Sequence, residues 1–123
     1  MSYTEFHRQH CDEDLNIQNY NYCKFTLETL IHNNIKTVFL IGPGSNGKTH
    51  LLNECREKII SNDYNIYDNP DFLINIQDGT ELLTMLSMMA NKKIISFCYN
   101  PFIHFNVEKP ENVVIIDMNH IMF

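Results

Sequence analysis

Apolar side chains recur at intervals of three and four residues in three stretches of the chain, residues 22–33, 48–60 and 80–90. This spacing aligns them along one side of a helix, so each stretch is predicted to be an amphipathic helix. Asp78 and Glu81 fit a capping box at the start of the third helix. Residues 1–20 are mostly polar and are predicted to be a loosely ordered N-terminal segment, followed by a domain formed by residues 21–123.

Short runs of apolar and β-branched residues separate these helices. Residues 37–41 form a continuous apolar run typical of a buried parallel strand. Residues 94–98 and 113–116 are predicted to be further strands, and residues 64–67 and 72–76 are weaker strand candidates. Strands that alternate with helices predict an α/β fold. We therefore expect a three-layer sandwich with a mainly parallel sheet of about five strands.

One segment between the first predicted strand and the second predicted helix matches the pattern G-x-x-x-x-G-K-[ST], which is the phosphate-binding P-loop, or Walker A motif. Its eight residues are the candidate nucleotide-binding residues: Gly42, Pro43, Gly44, Ser45, Asn46, Gly47, Lys48 and Thr49. An apolar strand ends directly before the segment and a helical pattern begins directly after it. This strand, loop and helix context is the one in which the motif binds phosphate.

The residue types of the motif explain its chemistry. Glycines allow the backbone to curl so that several N–H groups point at one anion, and the start of a helix also favours negative charge. The Lys48 ammonium is a candidate to bridge the β- and γ-phosphates and to act in catalysis. The Thr49 hydroxyl is a candidate ligand of Mg²⁺.

Such a site also needs a carboxylate at the tip of a neighbouring strand, and two candidates stay open. Asp117 follows four apolar residues, the pattern of a Walker B strand, and is a candidate catalytic residue and metal ligand. Asp78 follows a less apolar run and has the competing interpretation of a helix N-cap. If Asp78 is the acid, Asn100 lies at the next strand tip, where a polar sensor would orient water. The competing interpretation of Asn100 is a turn-forming Asn-Pro.

Composition and charge narrow the classes of partner. Nine Lys and Arg residues against fifteen Asp and Glu residues give a net charge of −6, which argues against a broad basic surface for nucleic acid. No apolar run reaches the roughly 18 residues of a membrane span, and the N-terminus lacks a signal-peptide core. We expect an intracellular, cytoplasmic protein without membrane contact. Cys55 and Cys98 lie in apolar segments and are predicted to be buried, reduced thiols.

Residues 38–52 resemble the strand, loop and helix of P-loop NTPases. The form G-x-G-x-N-G-K-[ST] at residues 42–49 is most similar to superfamily 3 helicases of viruses and plasmids, in the AAA+ branch. The resemblance implies ATP and Mg²⁺ as cofactors, a Walker B acid at Asp78 or Asp117, and a sensor at Asn100. Abundant Asn and Ile residues also suit an AT-rich source such as a large DNA virus, with the host cytoplasm or the virion as its location.

Three functions remain open. The first is a minimal ATPase related to helicases, which a homo-oligomer or a larger partner chain completes. The second is a nucleotide-binding module without turnover, favoured because each candidate acid is followed by a non-acidic residue and because the chain has only two arginines, Arg8 and Arg56. The third is a small nucleotide kinase, which the scarcity of arginine disfavours.

Overall fold

The computed structural model of the chain describes residues 3–43 and 47–119, with side chains described from residue 17 onward. Within these residues the chain forms six helices and four strands. In chain order they are α1 (Tyr3–His32), β1 (Thr37–Ile41), α2 (Lys48–Glu54), α3 (Arg56–Ser61), β2 (Asn65–Asp68), α4 (Asp71–Ile74), α5 (Gly79–Met88), β3 (Lys93–Phe97), α6 (Pro101–His104) and β4 (Val113–Asp117).

The sheet is parallel throughout, with the strand order β2-β3-β1-β4. β1 lies in its interior and all five of its residues are buried, which explains the continuous apolar run in its sequence. Ile41, the last residue of β1, pairs with Phe97 of β3 and with Asp117 of β4. The carboxyl ends of these strands therefore form one edge of the sheet, and the segment 42–49 leaves from that edge.

Side-chain alternation along the strands divides the core into two clusters, one on each face of the sheet. Val38 and Leu40 of β1 belong to the cluster covered by α1, α2 and α3. Phe39 and Ile41 belong to the cluster covered by α4, α5 and α6. Helices on both faces of a parallel sheet confirm the predicted three-layer α/β sandwich.

The sheet has four strands within the described residues, where about five were predicted. Residues 72–76, expected to form a strand, instead contain most of the short helix α4. Leu73 and Ile76 are buried while Ile74 is 54% exposed. Burial at an interval of three residues follows a helical turn, whereas a strand would bury alternate residues. Asp71 lies in the first turn of α4, where a negative charge is favoured.

Helix α1 is longer than predicted, and its buried side differs in part from the predicted one. It begins at Tyr3, so it includes most of the segment expected to be loosely ordered. The helical pattern of residues 22–33 places Tyr22 and Phe25 on the buried side together with Leu27, Leu30 and Ile31. Tyr22 and Phe25 are instead 71% and 69% exposed. The buried stripe has helical spacing over three turns and consists of Tyr20, Cys23, Leu27 and Ile31. These four residues are spaced by three and four positions, so they lie on one side of the helix, and that side belongs to the same core cluster as residues of β1.

The single helix predicted over residues 48–60 is divided at Cys55 into α2 and α3. The division is slight, because the Cys55 amide donates to the Leu51 carbonyl and the Ile59 amide donates to the Cys55 carbonyl. These are the bonds of a continuous α-helix. The stripe predicted to face the core is buried up to Ile59, whereas Ile60 is 58% exposed.

Candidate functional site

The segment 42–49 begins directly after β1, and its last two residues form the start of α2. The Gly42 amide donates to the Phe97 carbonyl of β3 over 3.1 Å, which anchors the start of the loop to the sheet. Gly47 precedes α2 with a φ of 85°, a left-handed conformation that a residue with a Cβ rarely adopts. Three of the predicted phosphate-binding residues, Gly44, Ser45 and Asn46, lie outside the described residues.

Lys48 turns its ammonium back over the start of the loop. The residue is 7% exposed, and its Nζ donates to the carbonyl of Gly42 and, over 3.0 Å, to the carbonyl of Pro43. Burial lowers the pKa of Lys48, and the nearby Cys98 and Asp68 act in the opposite direction. The side chain is therefore a buried cation held by neutral carbonyl groups at the carboxyl edge of the sheet, with a carboxylate close by.

That carboxylate belongs to Asp68, the last residue of β2. The Thr49 hydroxyl donates to Oδ2 of Asp68 over 3.5 Å, a long hydrogen bond that joins the first turn of α2 to the tip of β2. Thr49 and Asp68 are both exposed, so their oxygen atoms are accessible from solvent. The structure thus brings a lysine, a threonine and an aspartate together at one end of the sheet.

Asp78, one of the two predicted acids, is the N-cap of α5. Its Oδ1 accepts a hydrogen bond of 2.8 Å from the Glu81 amide. In a capping box the Glu81 side chain would accept a hydrogen bond from the Asp78 amide. Here its Oε2 accepts from the Gln77 amide, one residue earlier. The contacts of Asp78 are those of a helix cap.

Asp117, the other predicted acid, ends β4 as expected, at the opposite edge of the sheet from β2. Its Oδ1 accepts from the backbone amide of Asn119 over 2.9 Å and from the side-chain amide over 2.6 Å. Its charge is also the second cause, after burial, of a raised pKa of Cys23 on α1. Asp117 therefore stabilises its own turn beside α1.

Asn100, the predicted sensor, is the N-cap of α6. Its Oδ1 accepts from the amide of Phe102 over 3.0 Å and from that of Ile103 over 3.4 Å. The competing interpretation of Asn100 as the start of an Asn-Pro turn describes these contacts, because Pro101 occupies the first position of α6.

No family model matches the chain, and comparison with curated proteins and with solved structures finds no match.

Asp68 was missed because its local sequence is a weak strand signal. It follows Asn65-Ile66-Tyr67, and the residues from Asp68 to Asp71 have the composition of a turn. The available signal was the rule that parallel strands present their carboxyl ends at one edge, which makes the last residue of every strand a candidate.

Cys98 was also misjudged, since it lies beyond β3, is exposed, and is close enough to influence Lys48.

A buried hydroxyl lies beside this group of residues. Ser96 of β3 is 1% exposed and pairs in register with Asp68 of β2 and with Leu40 of β1. Its Oγ has no hydrogen-bond partner in the part of the chain that the structure describes. A buried polar atom left in this way costs about 1–3 kcal/mol, so a polar group entering this region would gain a ready partner.

The donor set of the site suits a magnesium ion that is shared with a phosphate. Among the residues with described side chains, no group of three or more His, Cys, Asp or Glu residues could hold a metal by itself. Thr49 and Asp68 supply a hydroxyl and a carboxylate 3.5 Å apart, which are hard oxygen donors of the kind Mg²⁺ prefers.

The described residues also include no helix with the length and apolar character needed to cross a bilayer.

Proposed function

We propose that the chain binds a nucleoside triphosphate with Mg²⁺ through the segment 42–49, and that Asp68 takes the role of the strand-tip acid. The observation that carries this proposal is the contact between Thr49 and Asp68 beside the buried ammonium of Lys48. In phosphate-binding loops of this sequence pattern, the Thr hydroxyl and a strand-tip Asp share the metal site, while the Lys contacts the phosphates. Asp78 and Asp117, which the sequence offered for this role, have contacts elsewhere.

Lys48 has the properties required to exchange its present partners for phosphate oxygens. The carbonyls of Gly42 and Pro43 are neutral acceptors, whereas a phosphate carries negative charge and forms stronger, charge-assisted hydrogen bonds. Burial disfavours the charged form of Lys48, as its lowered pKa indicates. A bound anion favours that form again. A bound phosphate would therefore favour the charged form of Lys48 that burial disfavours.

Thr49 and Asp68 would hold the metal, Thr49 directly and Asp68 directly or through a water molecule. The chemistry that Mg²⁺ supplies when bound is neutralisation of phosphate charge. Asp68 is also suited to accept a hydrogen bond from a water molecule at this edge of the sheet. These roles support hydrolysis of the triphosphate in addition to its binding.

A specific observation favours the alternative of nucleotide binding without turnover. Asp68 is followed by Asn69, not by a second acid, and the Asn69 amide is used in a hydrogen bond of 2.8 Å to the Ser96 carbonyl. A polarising carboxylate would then have to come from elsewhere, such as a second copy or a larger partner chain. The helicase-like resemblance and an origin in a virus likewise stay proposals.

Titration of the full chain with ATP, with and without MgCl₂, tests the proposal by calorimetry and by thermal unfolding. We expect saturable, Mg²⁺-dependent stabilisation in the wild type and none in Lys48→Met, which keeps the length of the side chain and removes the ammonium. Lys58→Met is the matched control, because Lys58 of α3 is an exposed lysine that forms an ion pair with Glu28 of α1. Equal stabilisation of wild type and Lys48→Met would contradict the proposed function.

Phosphate release measured on the same preparations separates the two versions of the proposal. Release that disappears in Lys48→Met supports an ATPase. Tight binding with no release at any protein concentration supports the module without turnover. Release whose specific rate rises with protein concentration indicates that a second copy completes the site.

A further inference from the structure

A second polar pocket lies at the opposite end of the sheet from the segment 42–49. It has a volume of about 250 Å³ and lies where β1, β3 and β4 begin and where α5 has ended. Its polar lining consists of Lys36, Thr37, Ser87, Asn91, Lys93 and Asn112. The five residues of β1 separate it from the first site by about 15 Å, at ~3.3 Å per residue.

Lys93 is the buried charge of this pocket. It is the first residue of β3, on the same face as Ile95 and Phe97, and it is 5% exposed. Its Nζ donates to the Ala90 carbonyl over 3.0 Å, and no carboxylate among the described side chains forms an ion pair with it. Burial is the sole cause of its lowered pKa. An ammonium buried without a counter-ion is costly, and a bound anion would offset that cost.

A second cation lies at the rim. Lys36, the residue before β1, is exposed and lines the pocket, and its backbone carbonyl accepts a hydrogen bond of 2.8 Å from the Lys93 amide, so the two residues are neighbours. The pocket lining contains no Asp or Glu, although the chain carries a net charge of −6. The remaining polar groups are amides and hydroxyls, which can all donate hydrogen bonds to an oxyanion.

Capping of α5 accounts for only part of this arrangement. A lysine near the carboxyl end of a helix is favoured by the helix dipole, and Lys93 donates to the carbonyl of Ala90, two residues beyond the last residue of α5. That bond uses one of the three donors of the ammonium. Capping also gives no reason for a second lysine and a polar cavity with no acidic group in its lining.

We propose that this pocket binds a small oxyanion, a phosphate or a carboxylate group, between the ammonium groups of Lys93 and Lys36. The amides of Asn91 and Asn112 flank it. The site is separate from the proposed nucleotide site and does not depend on it. It would let a small phosphorylated or carboxylated metabolite, or such a group on another molecule, bind at the amino edge of the sheet.

Inorganic phosphate is the probe for this site, in a Lys48→Met background that removes binding at the segment 42–49. Two-dimensional NMR follows the amides of Asn91, Lys93 and Asn112 during titration with phosphate and, separately, with acetate. We expect saturable shifts at these amides with at least one of the two anions, and the better ligand tells whether the site prefers phosphate or carboxylate. No saturable shift with either anion overturns the proposal.

Two variants and one control in the same background identify the residues responsible. Lys93→Met is expected to abolish the shifts at Asn112, and Lys36→Met to weaken binding roughly tenfold, the loss of one charge-assisted contact. Lys92→Met is the matched control, because Lys92 is the adjacent lysine but contacts Asn34 outside this pocket. Unchanged affinity in Lys36→Met overturns the proposal even if Lys93→Met does not fold. Equal weakening in Lys92→Met also does so, since it would indicate a general charge effect.

Discussion

The two edge strands of the sheet, β2 and β4, both end in an aspartate, but the two aspartates make different contacts. Each runs parallel to the rest of the sheet and each has an aspartate as its last residue, Asp68 in β2 and Asp117 in β4. The β4 sequence is the more apolar and has two buried positions, whereas no residue of β2 is buried. Yet Asp68 contacts Thr49, and Asp117 contacts its own turn through Asn119.

The apolar character of a strand sequence therefore indicates how deeply the strand is buried. The order of the strands in the sheet decides which strand-tip carboxylate lies beside the segment 42–49. The connection from β1 to β2 runs through α2 and α3, which pack on the face that contains Ile94 of β3 and Ile66 of β2. Parallel strands are joined by right-handed crossovers almost without exception, so this connection carries the start of α2 toward one side of β1. Asp68 lies on that side and Asp117 lies on the other.

The largest expected effect is on turnover, if the chain hydrolyses ATP. Asp68→Asn keeps the shape of the side chain and removes its charge at the Thr49 contact, so we expect phosphate release to fall by two to three orders of magnitude, about 3–4 kcal/mol. Asp117→Asn makes the same change at the tip of β4 and is expected to leave release within twofold. A large loss of phosphate release in Asp117→Asn, with little loss in Asp68→Asn, would show that the acid of the site lies on β4 and not on β2.

A second effect concerns the packing of the two strands. Ile116 of β4 is 5% exposed, whereas Ile66 of β2 is only partly buried. We expect Ile116→Ala to lower the free energy of unfolding by about 3 kcal/mol and Ile66→Ala by about 1 kcal/mol, because the first leaves the larger cavity. Urea denaturation measures both values. A larger loss in Ile66→Ala would show that the apolar character of β4 does not reflect its contribution to the core.

A smaller effect tests the third acid. Asp78→Ala removes the side chain that accepts from the Glu81 amide at the start of α5. We expect a loss of about 1 kcal/mol of unfolding free energy, the usual contribution of an N-cap, and no change in ATP affinity. Thermal unfolding and calorimetry measure the two quantities. A loss of Mg²⁺-dependent ATP affinity would indicate that Asp78 belongs to the nucleotide site.

The smallest effect is electrostatic and lies beside β4. Since the charge of Asp117 raises the pKa of Cys23, Asp117→Asn should move the titration of that thiol to lower pH. Burial is the larger cause and is unchanged, so the pKa should stay above its ordinary value. NMR observation of the Cys23 β-carbon during a pH titration measures the change. An unchanged pKa would argue that Asp117 does not face α1.

Predictions from sequence succeeded where neighbouring residues decide the structure. β1 begins and ends as predicted, and α2 begins at Lys48. Asp78 caps α5 because its partner Glu81 is three residues away. The prediction of a strand at residues 72–76 was wrong because so short an apolar segment fits either period, and only packing at Leu73 and Ile76 selects the helical one.

The candidate site divides along the same line. The sequence by itself determined that a glycine-rich segment with Lys48 and Thr49 joins a buried strand to a helix, because spacing and backbone preference are local properties. Only the tertiary structure decided that Asp68 is the acid beside Thr49, and that Lys36 and Lys93 line a pocket at the other end of the sheet. Strand order depends on which apolar faces pack together across the whole chain, and no local pattern of residues encodes it.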